Sequence, residues 1–230
     1  MSWAQKSADG GNVEAQFFLG VLYNAGAGGL PLNLSLAADW FKKAAEQGDA
    51  VAMTNLGVMY VNGDGRVKDL EKAFIWFERA ADADDEIAQH WLFLFYTAGF
   101  GIDVDLDIAL SYLRASAENG FAEAQCDLGR YYTDPNFENY PEAVSWFKKS
   151  AKQGYAEAQL RLGLLYANGD GVARNDIQAY VWIITSEAVG YEGSERMRLI
   201  VQEGLSRDDI ARGRAKAQTC LDTAFSDCEI

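Results

Sequence analysis

Few side chains in this chain could carry out chemistry. Among its 230 residues there is one histidine, His90, and there are three cysteines, Cys126, Cys220 and Cys228. Ser-His-Asp and Cys-His catalysis both need a histidine beside a nucleophile, and a zinc site needs a second histidine or a close cysteine pair. His90 lies inside a helical pattern, where a lone histidine is more often structural or partner-facing than catalytic. The sequence therefore predicts no catalytic residue, and a hydrolase is only a remote alternative.

Glycine and aspartate clusters do not change that interpretation. The segments 63–65 and 169–171 read Gly-Asp-Gly, but they lack the lysine and the preceding strand of a phosphate-binding loop, so they indicate helix ends. No serine has the lysine motif that opening a penicillin-type ring needs. Aspartates cluster at residues 82–86 and 103–107 without the full ligand pattern of a calcium loop. We therefore expect no bound metal and no cofactor.

The cysteines leave one covalent question open. On a continuous helix, Cys220 and Cys228 would be roughly 12 Å apart, which is too far for a disulfide. If the helix ends near Phe225 and the chain turns back, a bridge can form, and it would indicate an oxidising compartment. Cys126 falls inside a repeat helix, where we expect a small buried thiol.

The formal net charge of −14 limits the classes of partner. Nucleic-acid binding needs clustered lysine and arginine, and an acidic surface repels anionic lipid. No apolar run is long enough to predict a membrane-spanning helix, and residues 1–30 show no signal-peptide pattern. Residues 51–150 hold 17 acidic and only 8 basic residues. The charge favours a basic protein partner; the alternative is that it serves solubility alone.

The elements that must position these residues repeat along the chain. The pattern Ala-x-x-x-Leu-Gly-x-x-Tyr starts, with one variation, at alanines spaced 37, 36, 36 and 34 residues apart: Ala15, Ala52, Ala88, Ala124 and Ala158. An aromatic residue follows each copy at a second fixed place: Trp40, Trp76, Tyr112, Trp146 and Trp182. A period of this size indicates stacked helical hairpins. The sequence predicts an all-α, right-handed solenoid of helix-turn-helix repeats.

Residues 52–87 show how one repeat is built. Apolar residues at three- and four-residue spacing predict a first helix, which stops at the glycines from Gly63 onward. Asp69 predicts the start of a second helix, with Glu71 in its first turn. The buried stripe of this second helix is predicted to be Ala73, Trp76, Phe77, Ala80 and Ala81.

The repeats predict one domain over residues 1–230. Residues 3–14 match only the second helix of a repeat and are interpreted as a half repeat. Ser206 followed by acidic residues predicts a C-terminal capping helix. The full division is a half repeat at 3–14, repeats at 15–51, 52–87, 88–123, 124–157 and 158–193, and a cap and tail at 194–230.

The units resemble Sel-one-like repeats, which are slightly longer relatives of tetratricopeptide repeats. Residues 52–65, 72–77 and 158–172 carry the match best, and it covers residues 3–190. The resemblance implies a bacterial protein whose first helices line a concave binding face. Members of the family are adaptors, signalling scaffolds, envelope proteins, and partners or inhibitors of secreted proteins.

Two departures from the repeat pattern indicate where a partner binds. Phe93 replaces the glycine of the third copy, so it should push helices apart or face outward. Residues 133–141 replace the Gly-x-Gly loop of the fourth copy with two prolines and two aromatic residues, and exposed aromatics on a rigid support are typical of binding hot spots. The alternatives are local repacking and a surface loop without a partner. The predicted partner-binding residues are Phe17, Val58, Val61, His90, Trp91, Leu94, Arg130, Phe137 and Tyr140.

The sequence thus predicts a monomeric, non-catalytic adaptor or scaffold that binds another protein on its concave face. The alternative is an immunity or inhibitor protein that neutralises a secreted toxin or effector. Under either hypothesis the predicted partner is another protein: an effector, a toxin or a component of an envelope complex. It would be basic if the acidic charge serves binding. The compartment stays open between periplasm and cytoplasm.

Overall fold

The protein is represented by a computed structural model in which residues 3–229 are described, so the ends of the predicted domain at 1, 2 and 230 lie outside the described residues. Over that range the chain forms thirteen α-helices and no strand, which confirms the predicted all-α repeat fold. The helices are α1 (Trp3–Asp9), α2 (Val13–Ala25), α3 (Leu34–Glu46), α4 (Ala50–Asn62), α5 (Leu70–Ala81), α6 (Glu86–Ala98), α7 (Leu106–Glu118), α8 (Ala122–Thr133), α9 (Tyr140–Lys152), α10 (Ala156–Asn168), α11 (Asp176–Ala188), α12 (Ser194–Glu203) and α13 (Arg207–Asp222).

Polar side chains fix where most helices begin. Asp69 caps α5 as predicted, and its carboxylate accepts a hydrogen bond from the backbone N–H of Lys72 at 3.0 Å. Asp49 caps α4 in the same way through the N–H of Ala52 at 2.7 Å. Each cap satisfies a backbone donor that has no partner within the helix, and is worth about 1 kcal/mol.

Glycines end four of the five first helices and let the loops lie close to neighbouring backbone. Gly63 has a left-handed φ of 85° at the end of α4, which confirms the predicted stop. A β-carbon on Gly65 would lie 2.2 Å from the backbone of Leu34, so this loop packs directly on the start of α3. A β-carbon on Gly171 would likewise lie 2.4 Å from the backbone of Tyr140 at the start of α9. Both loops therefore require glycine for space as well as for conformation.

The chain forms two compact units, the first ending at Asn119 and the second starting at Gly120. In the first unit, the hairpins α2–α3, α4–α5 and α6–α7 pack one after another. Its core contains alanines at the crossings between helices and three fully buried aromatic residues, Phe41, Phe77 and Phe95. The alanines let the helix backbones approach, and the aromatic rings fill the remaining space.

In the predicted buried stripe of α5, Ala73, Phe77 and Ala80 are buried, whereas Trp76 and Ala81 are only half-buried. Phe77 and Phe147 are fully buried, whereas Trp76 and Trp146 are only half-buried. The tryptophan lies at the edge of the buried face, where Arg79 covers the Trp76 ring at 4.5 Å. The prediction that Trp76 lies in the helix–helix core is therefore corrected.

Phe93, which replaces the repeat glycine, is only partly exposed. Three of the four glycines equivalent to Phe93, such as Gly57, face a buried phenylalanine on the second helix of their own hairpin. In the third repeat the residue at that second-helix position is Leu113, which is 3% exposed, and Phe93 is half-buried. The larger residue on the first helix is therefore accompanied by a smaller one on the second helix.

The second unit ends in two helices where the sequence predicts one. Both α12 and α13 pack against α11. Ser206 caps α13 as predicted, and its hydroxyl accepts from the N–H of Asp209 at 3.1 Å. The helix α12 was not predicted, because Leu199 and Ile200 are half-exposed and form no clear buried stripe.

A disulfide folds the C-terminal tail back onto the second unit. Helix α13 ends at Asp222, Phe225 adopts a left-handed φ of 67°, and Cys228 returns to form a bridge with Cys220. The side-chain amide of the buried Gln178 donates to the Cys228 carbonyl at 2.8 Å. The structure therefore selects the bridged alternative for the two tail cysteines.

Candidate protein-binding site

The predicted binding residues of the first unit lie mostly on the edge of its core. Five of them are half-buried: Phe17, Val58, Val61, Trp91 and Leu94. The ring of Trp91 stacks on Phe77 with a centroid distance of 5.3 Å and an angle of 3°. The ring of Phe17 lies 5.8 Å from that of Phe41. These aromatic side chains support the core and present only part of their surface, and their concave placement stays a prediction.

His90 is the clearest correction in this group. It is 4% exposed and lies 5.5 Å from the ring of Phe93, so it does not contribute to an open surface. The equivalent residue of the preceding repeat, Thr54, is also buried, and its hydroxyl donates at 2.9 Å to Asp85, the residue that caps α6. The same helix position is therefore buried in both repeats.

In the second unit, Phe137 stands out from the protein on an aromatic base. Its side chain is 51% exposed, and its ring stacks on Tyr131 with a centroid distance of 4.5 Å and an angle of 18°. Tyr131 in turn meets Tyr132 edge-on at 5.3 Å. The three rings form a continuous aromatic group, called here the Phe137 cluster, at the C-terminal end of α8. One face of Phe137 is supported by the protein and the rest meets solvent.

Short-range hydrogen bonds hold the loop that carries Phe137. The Asp134 carboxylate accepts at 2.8 Å from both the backbone and the side-chain N–H groups of Asn136. The backbone N–H of Phe137 donates to the Asp134 carbonyl at 2.9 Å, and that of Asn139 donates to the Tyr132 carbonyl at 2.9 Å. Pro141 at the start of α9 further restricts the backbone. The exposed ring is therefore presented by an ordered loop.

Tyr140 and Arg130 have different roles from Phe137. Tyr140 is half-buried and packs against the core of the second unit, so it anchors the loop rather than forming a second exposed aromatic. Arg130 is exposed, and its guanidinium lies 3.1 Å from the Asp127 carboxylate. Of the nine predicted residues, only Arg130 and Phe137 are classed as exposed.

The surroundings of the Phe137 cluster are acidic. Residues 127–142 contain four carboxylates and one basic side chain, Arg130. Asp134, Glu138 and Glu142 are exposed, and no lysine or arginine of residues 3–229 forms an ion pair with them. A basic surface would thus meet an apolar ring bordered by unpaired negative charge.

Sequence reasoning missed the aromatic base of this cluster. Tyr132 is the tyrosine of the fourth repeat copy and Tyr131 precedes it, so the repeat pattern marks Tyr132 only as a position on the helix. The signal that could have identified them is the adjacency of two tyrosines to a loop that departs from the repeat. The stack on Tyr131 depends on how the loop folds back, which residue spacing does not specify.

The free thiol of Cys126 is made unreactive by its burial. Desolvation raises the pKa of the Cys126 thiol to about 12, and the nearby carboxylates of Glu157 and Asp127 act in the same direction. A thiol with that pKa is almost fully protonated at neutral pH and is a poor nucleophile. Between residues 3 and 229 there is no group of three His, Cys, Asp or Glu side chains that could hold a metal ion.

Comparison with known proteins decides the family. The Sel1 repeat profile matches residues 13–49, 50–85, 87–121, 122–155 and 156–184. The chain belongs to the Sel1 repeat family. Sel1 repeat proteins are typically protein-interaction modules, and the Sel1 fold is generally a non-catalytic scaffold. No match is found among curated proteins.

Solved structures show the same architecture. A Sel1 repeat protein from Oxalobacter formigenes is 31% identical, with a TM-score of 0.80 over 85% of this chain, and this chain spans 57% of its length. A putative Sel1 repeat protein from Klebsiella pneumoniae is 23% identical, with a TM-score of 0.54 over 87% of this chain and 98% of that one. An immunity protein from Pseudomonas aeruginosa is 20% identical, with a TM-score of 0.57 over 95% of this chain and 83% of that one. None of the described helices of our Sel1 repeat chain is long and apolar enough to span a membrane.

Proposed function

We propose that this Sel1 repeat protein is an adaptor that binds another protein through the Phe137 cluster. The observation that carries the proposal is the half-exposed Phe137 ring stacked at 4.5 Å on Tyr131. A soluble protein gains little by holding a large apolar ring in water on an ordered loop. Binding removes that ring from water, and the loop loses little conformational entropy because hydrogen bonds already restrict it.

The chemistry of the cluster defines the partner surface. An aromatic anchor needs an apolar pocket in the partner, and Asp134, Glu138 and Glu142 favour basic residues around that pocket. The apolar contact would supply most of the affinity, while the exposed carboxylates mainly increase the rate of encounter. A basic protein, or a basic segment of one, fits both requirements.

An inhibitor is the second candidate function. The acidic surroundings of Phe137 suit the basic surface of a nucleic-acid-processing or membrane-active toxin, and the fold is shared with an immunity protein of Pseudomonas aeruginosa. That likeness, at 20% identity, concerns the fold alone. A partner that loses its activity in the complex supports the inhibitor, whereas a partner that stays active supports the adaptor.

We also infer that the protein works in an oxidising compartment such as the periplasm. The Cys220–Cys228 bridge supports this inference, since such bridges are rare where thiols are kept reduced. Mass spectrometry of the protein isolated from its own cells under thiol-blocking conditions tests it. A mass with both tail cysteines blocked would contradict the inference.

Affinity capture tests the proposed binding site. Wild-type protein, Phe137→Ala and Leu199→Ala are immobilised in parallel, and each is exposed to an extract of the source organism. Leu199 is 50% exposed on α12, so it matches Phe137 in exposure without belonging to the cluster. The proposal expects one protein to be enriched by wild type and by Leu199→Ala, but not by Phe137→Ala. Equal capture by all three proteins would refute the assignment.

A further inference from the structure

A second surface feature of the second unit lies away from the Phe137 cluster. A cavity of about 410 Å³ opens between α11, α12 and α13. Its lining includes Tyr180, Ile184, Arg198, Arg214, Ala217 and Leu221. The wall therefore combines aliphatic surface with two guanidinium groups, in a protein whose net charge is −14.

The two arginines differ in what they bind. The Arg198 Nε lies 2.6 Å from a Glu187 carboxylate oxygen, and its Nη1 donates to Gln202 at 3.1 Å, so its charge is neutralised within the protein. Arg214 forms no ion pair with any carboxylate of residues 3–229. Its Nε makes one long hydrogen bond, 3.4 Å, to the Tyr180 hydroxyl. The guanidinium group of Arg214 is therefore available to bind an anion.

The position of Arg214 is set by packing around Tyr180. Tyr180 is fully buried, and its hydroxyl donates to Gln202 at 3.1 Å. Gly213, the residue before Arg214, lies so close to the Tyr180 ring that a β-carbon there would be 2.7 Å from it. This contact holds α13 against α11 and places Arg214 in the lining of the cavity.

The rest of the cavity is suited to an apolar group. Ile184, Ala217 and Leu221 contribute aliphatic surface beside Arg214. A ligand that satisfies the whole lining carries one negative charge and one apolar side chain close together. Arginine recognises a carboxylate through two parallel hydrogen bonds, a geometry that the ammonium group of lysine does not provide.

We propose that this cavity binds the carboxyl terminus of a polypeptide that ends in an apolar residue. The terminal carboxylate pairs with Arg214, and the last side chain lies on Ile184, Ala217 and Leu221. The preceding residues of the polypeptide leave the cavity past Arg214 and Gln218, which are both exposed.

The lining disfavours a free amino acid. A free amino acid carries an ammonium group that needs a carboxylate, and Glu187, the acidic residue in the lining, is already paired with Arg198 at 2.6 Å. The last residue of a polypeptide has no ammonium group, so it leaves no buried charge unpaired.

Binding of matched synthetic peptides tests the proposal. An acetylated Gly-Ser peptide ending in leucine is titrated into the whole protein, once with a free α-carboxylate and once as the amide. A third peptide is an amide with an internal aspartate, and N-acetyl-leucine is the small-molecule probe. We expect saturable binding of the free acid, with the amide and the internal aspartate each weaker by about tenfold or more. N-acetyl-leucine should bind more weakly than the peptide acid, because it lacks the preceding residues.

Two variants on the same helix identify the residue responsible. Arg214→Gln should weaken binding of the peptide acid by about tenfold, and Arg212→Gln, whose guanidinium pairs with Asp209 instead, should leave it unchanged. Equal binding of acid and amide to wild type would overturn the proposal, and that comparison does not depend on the folding of any variant. Binding of the internal aspartate as strongly as of the terminal carboxylate would also overturn it. Phe137→Ala should bind the peptide acid like wild type, so the outcome is independent of the Phe137 cluster.

Discussion

The ring of Phe77 occupies the space that a β-carbon on Gly57 would need, with one ring carbon only 2.6 Å from that position. The same relationship joins Gly20 to Phe41 and Gly129 to Phe147, at 2.6 and 2.7 Å. Each pair brings the two helices of one hairpin together. These contacts define the internal geometry of the repeat, and they lead to the first prediction.

Gly57→Ala should destabilise the protein although alanine favours helices. In an open helix position the change would stabilise by up to about 1 kcal/mol. Here the added methyl group meets the Phe77 ring, and overpacking of this kind costs about 1–3 kcal/mol. Urea denaturation followed by circular dichroism measures the difference. A stabilised Gly57→Ala protein would show that the ring moves aside at no cost.

Phe77→Ala should cost far more than Trp76→Ala. Phe77 is fully buried, so its truncation should lower the free energy of unfolding by about 3–5 kcal/mol. Trp76 is half-buried beneath Arg79, so less of its apolar surface is lost. The two variants are compared by urea denaturation under identical conditions. If Trp76→Ala is as damaging as Phe77→Ala, the tryptophan is the core residue after all.

Breaking the tail disulfide should destabilise the second unit. The bridge closes a short loop between Cys220 and Cys228, whose sequence separation is 8. Restricting the unfolded chain by a loop of that size is worth about 2–3 kcal/mol. Thermal melts of Cys228→Ser and of reduced wild type should both shift downward. A reductant should not lower the melting temperature of Cys228→Ser any further, and an unchanged melt of fully reduced wild type would contradict the prediction.

Glu229 should make the tail sensitive to acid. Burial raises the pKa of the Glu229 carboxyl, but hydrogen bonds and charges from Lys148 and Lys152 outweigh it, so the net pKa lies below the ordinary value of 4.5. A lowered carboxyl pKa contributes stability above the unfolded value, and this stability is lost as the pH falls through the folded pKa. Melting temperatures of wild type and Glu229→Gln should therefore differ at pH 7 and converge as the pH falls below 4.5 and through the lowered folded pKa. A difference that is constant with pH would rule out the ionised carboxylate as its source.

Local signals allowed much of the fold to be predicted from the sequence. Asp69, Gly63 and Ser206 start or end helices through contacts within a few residues, so their roles follow from residue type and position. Adjacent apolar residues such as Trp76 and Phe77 were harder to rank, because a helical period does not decide which of two neighbours faces the core.

Features that depend on distant segments were harder to predict. His90 is buried although the sequence pattern placed it on an open face, and α12 has no strong apolar stripe of its own. The loop carrying Phe137 was identified because it departs from the repeat, but its stack on Tyr131 results from the folded loop. The cavity beside Arg214 depends on three helices, one of which the sequence did not predict.

The affinity of the captured partner for Phe137→Ala tests the central claim most directly. Tyr140 is left intact, because it packs in the core and its loss would confuse binding with folding. Calorimetric titration of the purified partner should show a loss of about 2 kcal/mol, or about thirtyfold in Kd, relative to wild type and to Leu199→Ala. The thermal melt of Phe137→Ala should match that of wild type. If the partner binds Phe137→Ala and wild type with equal Kd, the Phe137 cluster is not the binding site.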